Sequence, residues 1–308
     1  IGNSRAMQEV LDLIEAVAPT DATVLIQGES GTGKEMVAQA LHESSACCGR
    51  EMVTVDGGTL QETLFESEIF GHERGAFTSA ERQKKGLIEE AEGSTLFLDE
   101  IGETSPAIQA KLLRVLETNT FRRLGGTRVL KANVRFVVAS NRDLAEMSQA
   151  GSFRSDLYFR LASFVIHVPP LRERREDIPL LAEHFLQRFA RGIERKLTPD
   201  ALQLLMVYDW PGNVRELRNL IERAVILAGR DGRIRAEHFG PLVARRPDSV
   251  SLAFDHEPSL AEIEKDYLRR TLLQYGGNRA KAALVLGISE RNIYRLIRQY
   301  KLDDRSEH

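Results

Sequence analysis

The chain has 308 residues, 42% apolar and only 6% aromatic, with a formal net charge of −3. That length suits two or three domains with ample core, and the composition excludes disorder and collagen-like repeats. No apolar run approaches the roughly 18 residues of a membrane span, and no signal-peptide pattern opens the chain. The two cysteines, Cys47 and Cys48, are adjacent. Neighbouring cysteines make poor bridges and no zinc site by themselves, so a reduced, cytosolic compartment is expected. A first residue of Ile1 rather than Met is expected of a piece of a longer protein.

From Ala22 to Val168, short β-branched runs alternate with helical patterns. Strands are predicted at Thr23–Gln27, Met52–Val55, Thr95–Asp99, Val134–Ser140 and Phe164–Val168, with helices such as Lys34–Glu43 and Pro106–Glu117 between them. This alternation predicts an α/β fold with a mostly parallel sheet covered on both faces. After Pro169-Pro170 the pattern reads as helices only, at Ile178–Ile193, Pro199–Tyr208 and Val214–Leu227. Residues 241–258 are polar and aperiodic, as a linker would be. Helical patterning resumes at Leu260, with breaks at Gly276-Gly277 and Gly287.

Three elements carry chemistry. Gly28-Glu29-Ser30-Gly31-Thr32-Gly33-Lys34-Glu35 follows a predicted strand and opens a predicted helix. This is the P-loop spacing: its glycines let backbone amides curl around phosphate oxygens, and Lys34 reaches the β- and γ-phosphates. Glu35 stands where serine or threonine is common, so a magnesium shell must be completed elsewhere. The strand Thr95–Asp99 ends in Asp99-Glu100, where Asp99 suits a Mg²⁺ ion held through water and Glu100 suits polarising an attacking water. Asn141 follows another strand and fits two roles equally, orienting water near the γ-phosphate or capping the helix that begins near Asp143. Near the end of the chain, Arg279, Lys281, Arg291, Arg295, Arg298 and Lys301 stand against Glu290 alone. The helix, Gly287 turn and second helix there have helix-turn-helix spacing: Ala283 allows close crossing, Ile293 closes a small core and Ser289 caps the second helix. Arg291, Asn292, Tyr294, Arg295 and Arg298 then form a face suited to base edges and phosphates, joined by Arg279 and Lys281. A small helical docking module is the alternative.

Longer segments carry a resemblance. Glu66-Ser67-Glu68-Ile69-Phe70-Gly71-His72-Glu73-Arg74-Gly75-Ala76-Phe77-Thr78-Ser79-Ala80 resembles the surface loop of the bacterial enhancer-binding proteins, the AAA+ activators of sigma-54 RNA polymerase. Residues 153–161, 169–174 and 210–217 match the same family in order, and the likeness runs from Ile1 to about Leu302. It implies an AAA+ P-loop NTPase subdomain (1–170), a helical lid (171–242), a linker (243–258) and a Fis-type helix-turn-helix domain (259–308). It implies ATP with Mg²⁺, a hexameric ring, a dimer through the helix at about Leu260–Tyr275, and a palindromic enhancer site. Arg154 and Arg160 resemble arginine fingers supplied to a neighbouring subunit, Arg215 the lid arginine that senses nucleotide, Asn141 the first sensor, and Ile1-Gly2 the edge of the adenine pocket. The loop Gly75–Ala80 would contact sigma-54 through Phe77 and Thr78, unless Phe77 folds back into the core. Two residues depart from the family. Ser79 replaces a glycine of the loop, and Asp56 replaces an asparagine that hydrogen-bonds the strand-end glutamate. An ionised Asp56 cannot donate that bond and would repel Glu100. The reading is therefore an ATP-hydrolysing activator that remodels closed promoter complexes. Its rival is a DNA-binding regulator whose AAA+ domain binds nucleotide or assembles without productive sigma-54 contact. A P-loop phosphotransferase is a distant third, for want of an acceptor pocket.

Overall fold

The computed structural model describes residues 2–58, 62–77, 80–190, 194–229, 231–240, 259–275, 278–300 and 302. The chain divides into two compact units, Ile1–Phe239 and Gly240–His308. The expected linker, Ile1, Thr78 and Ser79 lie outside the described residues.

The first unit opens with helix α1 (Arg5–Val17), capped by the Ser4 side chain and burying Met7, Val10, Ile14 and Val17 on one face. Five strands follow: β1 (Val24–Gln27), β2 (Val53–Asp56), β3 (Thr95–Asp99), β6 (Arg135–Ser140) and β7 (Phe164–His167). They form one parallel sheet in the order β2-β3-β6-β1-β7. Their inner residues are near-continuously apolar, as a sheet covered on both faces requires. One side packs against α1 and α2 (Lys34–Glu43) around Ile26, Leu41, Phe97 and Val137. The other packs against α3 (Glu62–Phe70), α5 (Pro106–Thr118) and α7 (Ser155–Leu161). The short helices α4 (Leu87–Glu90) and α6 (Leu144–Gln149) and the antiparallel pair β4 (Thr120–Phe121) and β5 (Leu130–Lys131) complete this part.

Register sets the working edge. Gln27 lies opposite Ser140, Leu98 opposite Val138, and Asp56 opposite Asp99. The P-loop, Asp99-Glu100, Asp56 and Asn141 therefore all emerge at the carboxyl ends of neighbouring strands, where open α/β sheets bind ligands.

Helices α8 (Ile178–Phe189), α9 (Pro199–Val207) and α10 (Asn213–Leu227) follow. This stretch is not helical only: Lys196–Leu197 (β8) pairs in parallel with Arg233–Ile234 (β9). Two-residue strands are too short to leave a period in sequence, and their bonds depend on a distant partner. The expected helix to Ile193 stops at Phe189, and residues 191–193 are outside the description. Trp210 is fully buried at φ +53°, donates Nε1–H to the Leu205 carbonyl at 2.9 Å and meets Tyr208 edge-on at 5.1 Å.

In the second unit, α11 (Leu260–Gln274), α12 (Arg279–Leu286) and α13 (Glu290–Gln299) enclose Leu268, Ala282, Ala283, Ile293, Leu296 and Ile297. Gly287 turns the chain at φ +64°, a conformation costly for other residues, and Asn278 and Ser289 cap the helices on either side. The small core expected around Ala283 and Ile293 is present. Among the described residues no helix is long and apolar enough to cross a membrane.

The start of the chain is tied to the lid through one carboxylate. Asp177, fully buried, accepts from the Asn3 amide (2.7 Å), the Ser4 amide (2.8 Å) and the Ser4 hydroxyl (2.7 Å). Asp177→Ala would strand these donors and is expected to cost about 2–4 kcal/mol. Hydrogen exchange checks this: amides of α1 should lose protection while those of β3 keep it.

Candidate functional site

The P-loop is held open from outside. Gly31 has φ +78°, and a Cβ there would come within 2.5 Å of the Gly212 carbonyl, so only glycine lets the loop lie against the start of α10. From α10, the Arg215 amide donates to the Gly31 carbonyl at 3.2 Å and its guanidinium to Ser30 Oγ at 2.8 Å. Asn213, fully buried at φ +52°, donates to Glu29 Oε2 and the Ser30 carbonyl, both at 3.1 Å, and accepts from the Leu171 amide at 2.8 Å. Arg172 grips Glu29 with both arms, at 2.9 and 2.6 Å. This fork, with Asn213, holds the Glu29 carboxyl down at about 2. Buried Arg174 donates to the Thr32 carbonyl at 2.6 Å and reaches Met7 Sδ at 2.8 Å. Thr32 closes the loop on itself, its hydroxyl donating to the Glu29 carbonyl at 2.8 Å. Glu35 sits exposed in the first turn of α2, where the helix dipole favours its charge.

Lys34 is buried, its ammonium donating to the Gly28 carbonyl at 2.9 Å and the Glu29 carbonyl at 3.1 Å. Burial lowers its pKa, against the opposing pull of Asp99 and Glu100. A buried cation at the foot of a helix whose first amides lie outside its own ladder fits a polyphosphate.

Glu100 occupies left-handed backbone space at φ +53°, strain of the kind found where a side chain must be aimed, and its amide donates to Asp99 Oδ1 at 2.9 Å. Asp56 accepts from the Gly58 amide at 2.8 Å, and a side chain at Gly58 would crowd both the Glu100 and the Asp56 carboxylates. Burial first, then the charges of Asp56, Asp99 and Glu103, raise the Glu100 pKa, with Lys34 opposing. Asn141 is exposed just beyond β6; the following helix is capped by Asp143, which accepts from the Ala145 and Glu146 amides. Asn141 is therefore not that cap.

The sequence-derived site residues do not all converge. Arg154 is exposed and pairs bidentately with Asp156, and Arg160 donates to the Leu116 carbonyl at 3.2 and 2.8 Å. Neither contact involves the P-loop. Gly2 lies against the Asp177 carboxylate. Sequence reasoning assigned no role to Arg172, Asn213, Arg174 or Asp177. The first three sit within or beside motifs already singled out, but only the fold shows that they meet the P-loop.

The loop after α3 is braced at its base. His72 bridges to Lys84 and Leu124, and its Nδ1 is 2.8 Å from Ser67 Oγ. Arg123 binds Glu73 at 2.9 Å and Glu89 at 2.8 and 2.6 Å. The Gly75 amide donates a hydrogen bond to the Ala80 carbonyl at 2.8 Å, and Ala76 packs against Gly125. Phe77 is not buried in the core: it is 37% exposed, with its ring 4.9 Å from His72, edge-on. In the second unit, Lys281, Arg291, Tyr294 and Arg298 are exposed on the basic face. The Arg279 guanidinium lies 4.9 Å from the Tyr294 ring centre, and Arg295 donates to Asn292 Oδ1 at 3.1 Å.

Comparison with known proteins decides the family. Residues 1–167 match the sigma-54 interaction domain, more than half of the chain. The chain belongs to the sigma-54-dependent transcriptional regulators. Residues 172–252 match the AAA+ ATPase lid domain, and 259–300 the bacterial regulatory proteins of the Fis family. The chain is 49% identical over 297 residues to the transcriptional regulatory protein ZraR of Salmonella typhimurium, covering 95% of this chain and 67% of that one. It is 46% identical over 311 residues to the nitrogen fixation protein AnfA of Azotobacter vinelandii, covering 99% of this chain and 58% of the other. Two crystal structures of NtrX from Brucella abortus are similar. The ADP complex is 36% identical with a TM-score of 0.75 over 98% of this chain and 69% of NtrX. The ATP complex is 35% identical with a TM-score of 0.71 over 97% and 68%. This sigma-54 regulator thus carries an AAA+ P-loop domain with a helical lid, followed by a DNA-binding helix-turn-helix.

The brace beneath the loop is testable. Arg123→Ala leaves Glu73 and Glu89 without their shared cation and is expected to cost about 1–3 kcal/mol after solvent screening. Amides of His72 and Lys84 should then exchange faster with solvent, which hydrogen-exchange mass spectrometry reads directly.

Proposed function

We propose that this chain hydrolyses ATP in a ring of identical subunits and uses the cycle to remodel sigma-54 RNA polymerase at promoters. The observation that carries this reading is the convergence of Lys34, Asp99, Glu100 and lid residue Arg215 at one edge of the sheet. ATP bound in NtrX supports the choice of nucleotide. The P-loop residues Gly28–Glu35, Arg215 and the Ile1-Gly2 edge would bind ATP. Asp99 would hold Mg²⁺ through water, and the ion would supply positive charge to the phosphates. Glu100 takes a proton from the attacking water, its raised pKa making it a stronger base at neutral pH. Asn141, clear of any capping duty, orients that water.

Arg154 and Arg160, which resemble the family's arginine fingers, serve a neighbouring copy's nucleotide once released from Asp156 and the Leu116 carbonyl. Residues Gly75–Ala80 form the sigma-54 contact, with Phe77 as its apolar point. Arg279, Lys281, Ser289, Arg291, Asn292, Tyr294, Arg295 and Arg298 form the DNA face, on a unit that dimerises through α11 and reads a palindromic enhancer in the bacterial cytoplasm. Residues 1–170, 171–242, 243–258 and 259–308 are read as nucleotide-binding subdomain, lid, linker and DNA-binding domain.

Two outcomes are expected. Glu100→Gln should cut ATP turnover about 10²–10⁴-fold while nucleotide binding persists, and open-complex formation at a sigma-54 promoter should stop with it. ATP turnover without promoter opening by the unaltered chain would favour the rival scaffold reading. The second concerns Asp56. Turnover requires ionised Glu100 and so falls as pH drops through its pKa, which the Asp56 charge raises. Asp56→Asn removes that charge, so the acid limb of kcat against pH should move to lower pH; an unmoved limb excludes Asp56 as a controller of Glu100.

A further inference from the structure

The second residue of the P-loop is an acid. Glu29 lies in the turn that would wrap a triphosphate, and its backbone carbonyl receives the Lys34 ammonium at 3.1 Å. An ionised carboxylate there opposes a polyanion, a repulsion that solvent screens only in part because the Glu29 side chain is 43% exposed. The fold answers with one cation. Arg172, on the 3₁₀ turn Leu171–Glu173 that leads into the lid, engages both Glu29 oxygens at 2.9 and 2.6 Å. Asn213 occupies the remaining acceptor site of Oε2 at 3.1 Å. The fork geometry is the one in which an arginine best neutralises a carboxylate.

We propose that Arg172 is a positioning and charge-balancing residue for ATP binding: it masks Glu29, so that the P-loop presents a net positive field to the triphosphate only while the lid is docked. This rests on the reading of the site as an ATP site. It gives the Glu29–Arg172 pair a regulatory role, because the two residues come from opposite sides of the P-loop–lid seam. Lid displacement separates them, exposes the carboxylate to the phosphates and favours departure of the nucleotide. Asn213, buried in left-handed backbone space, sets the distance between the two sides through its bonds to Leu171, Glu29 and Ser30.

The test measures equilibrium binding of a fluorescent ATP analogue, and of its ADP counterpart, to the full chain without turnover. Arg172→Ala is expected to weaken ATP binding about tenfold or more, and ADP binding less, because the repulsion scales with phosphate charge. Glu29→Gln alone leaves Arg172 unbalanced and is expected to tighten ATP binding. Adding Glu29→Gln to Arg172→Ala is expected to recover most of the loss, and Arg172→Lys, which keeps charge but not the fork, to fall between Arg172→Ala and the unaltered chain. A double variant as weak as Arg172→Ala, or an equal loss for ATP and ADP, overturns the proposal in favour of a purely shape-holding arginine. Failure of the unaltered chain to bind either nucleotide overturns the ATP reading itself. Normal binding by the unaltered chain together with unchanged binding by Arg172→Ala overturns only the charge balance.

Discussion

A loop that wraps phosphates has to keep most of its amides for the ligand, so its own bonds, from Thr32 and Lys34 to the Gly28 and Glu29 carbonyls, give it only part of its shape. In this chain the missing support comes from the lid. Gly31 packs on Gly212, Arg215 bonds the loop carbonyl, and Asn213 pins Glu29 and Ser30. Arg174 adds a buried bond to Thr32. The shape of the P-loop and the seating of the lid thus share the same few contacts. Glu100 carries a related constraint, held in a strained backbone conformation at the end of β3 beside two further carboxylates.

Much of this was legible in the sequence because it depends on local pattern. The helix Lys34–Glu43 and the strand Thr95–Asp99 have the bounds that periodicity and capping chemistry indicate. The helix-turn-helix follows from Gly287 and Ser289, each of which acts within a few residues of itself. The P-loop spacing carried its own meaning for the same reason.

The parts that were not legible depend on distant partners. Arg172 meets Glu29 across 143 positions and Asn213 meets it across 184. Asp177 reaches Ser4 across 173. No spacing rule encodes such pairs, although Arg172, Glu29 and Asn213 stood in conspicuous motifs. The pair β8 and β9 was lost for the same reason, each strand finding its ladder partner more than 30 residues away. Asn141 illustrates the reverse case: its capping alternative dissolved once Asp143 was seen to fill that place.

The packing around Trp210 has an optical consequence. The chain holds a single tryptophan, so its indole emission comes from one address, three residues before α10. That indole is dry, anchored to the Leu205 carbonyl and set against Tyr208, whose hydroxyl donates to Glu216 at 3.1 Å. Water admitted there by lid motion would redden and dim the signal. The protein thus carries an intrinsic dye beside the start of α10, readable without labels.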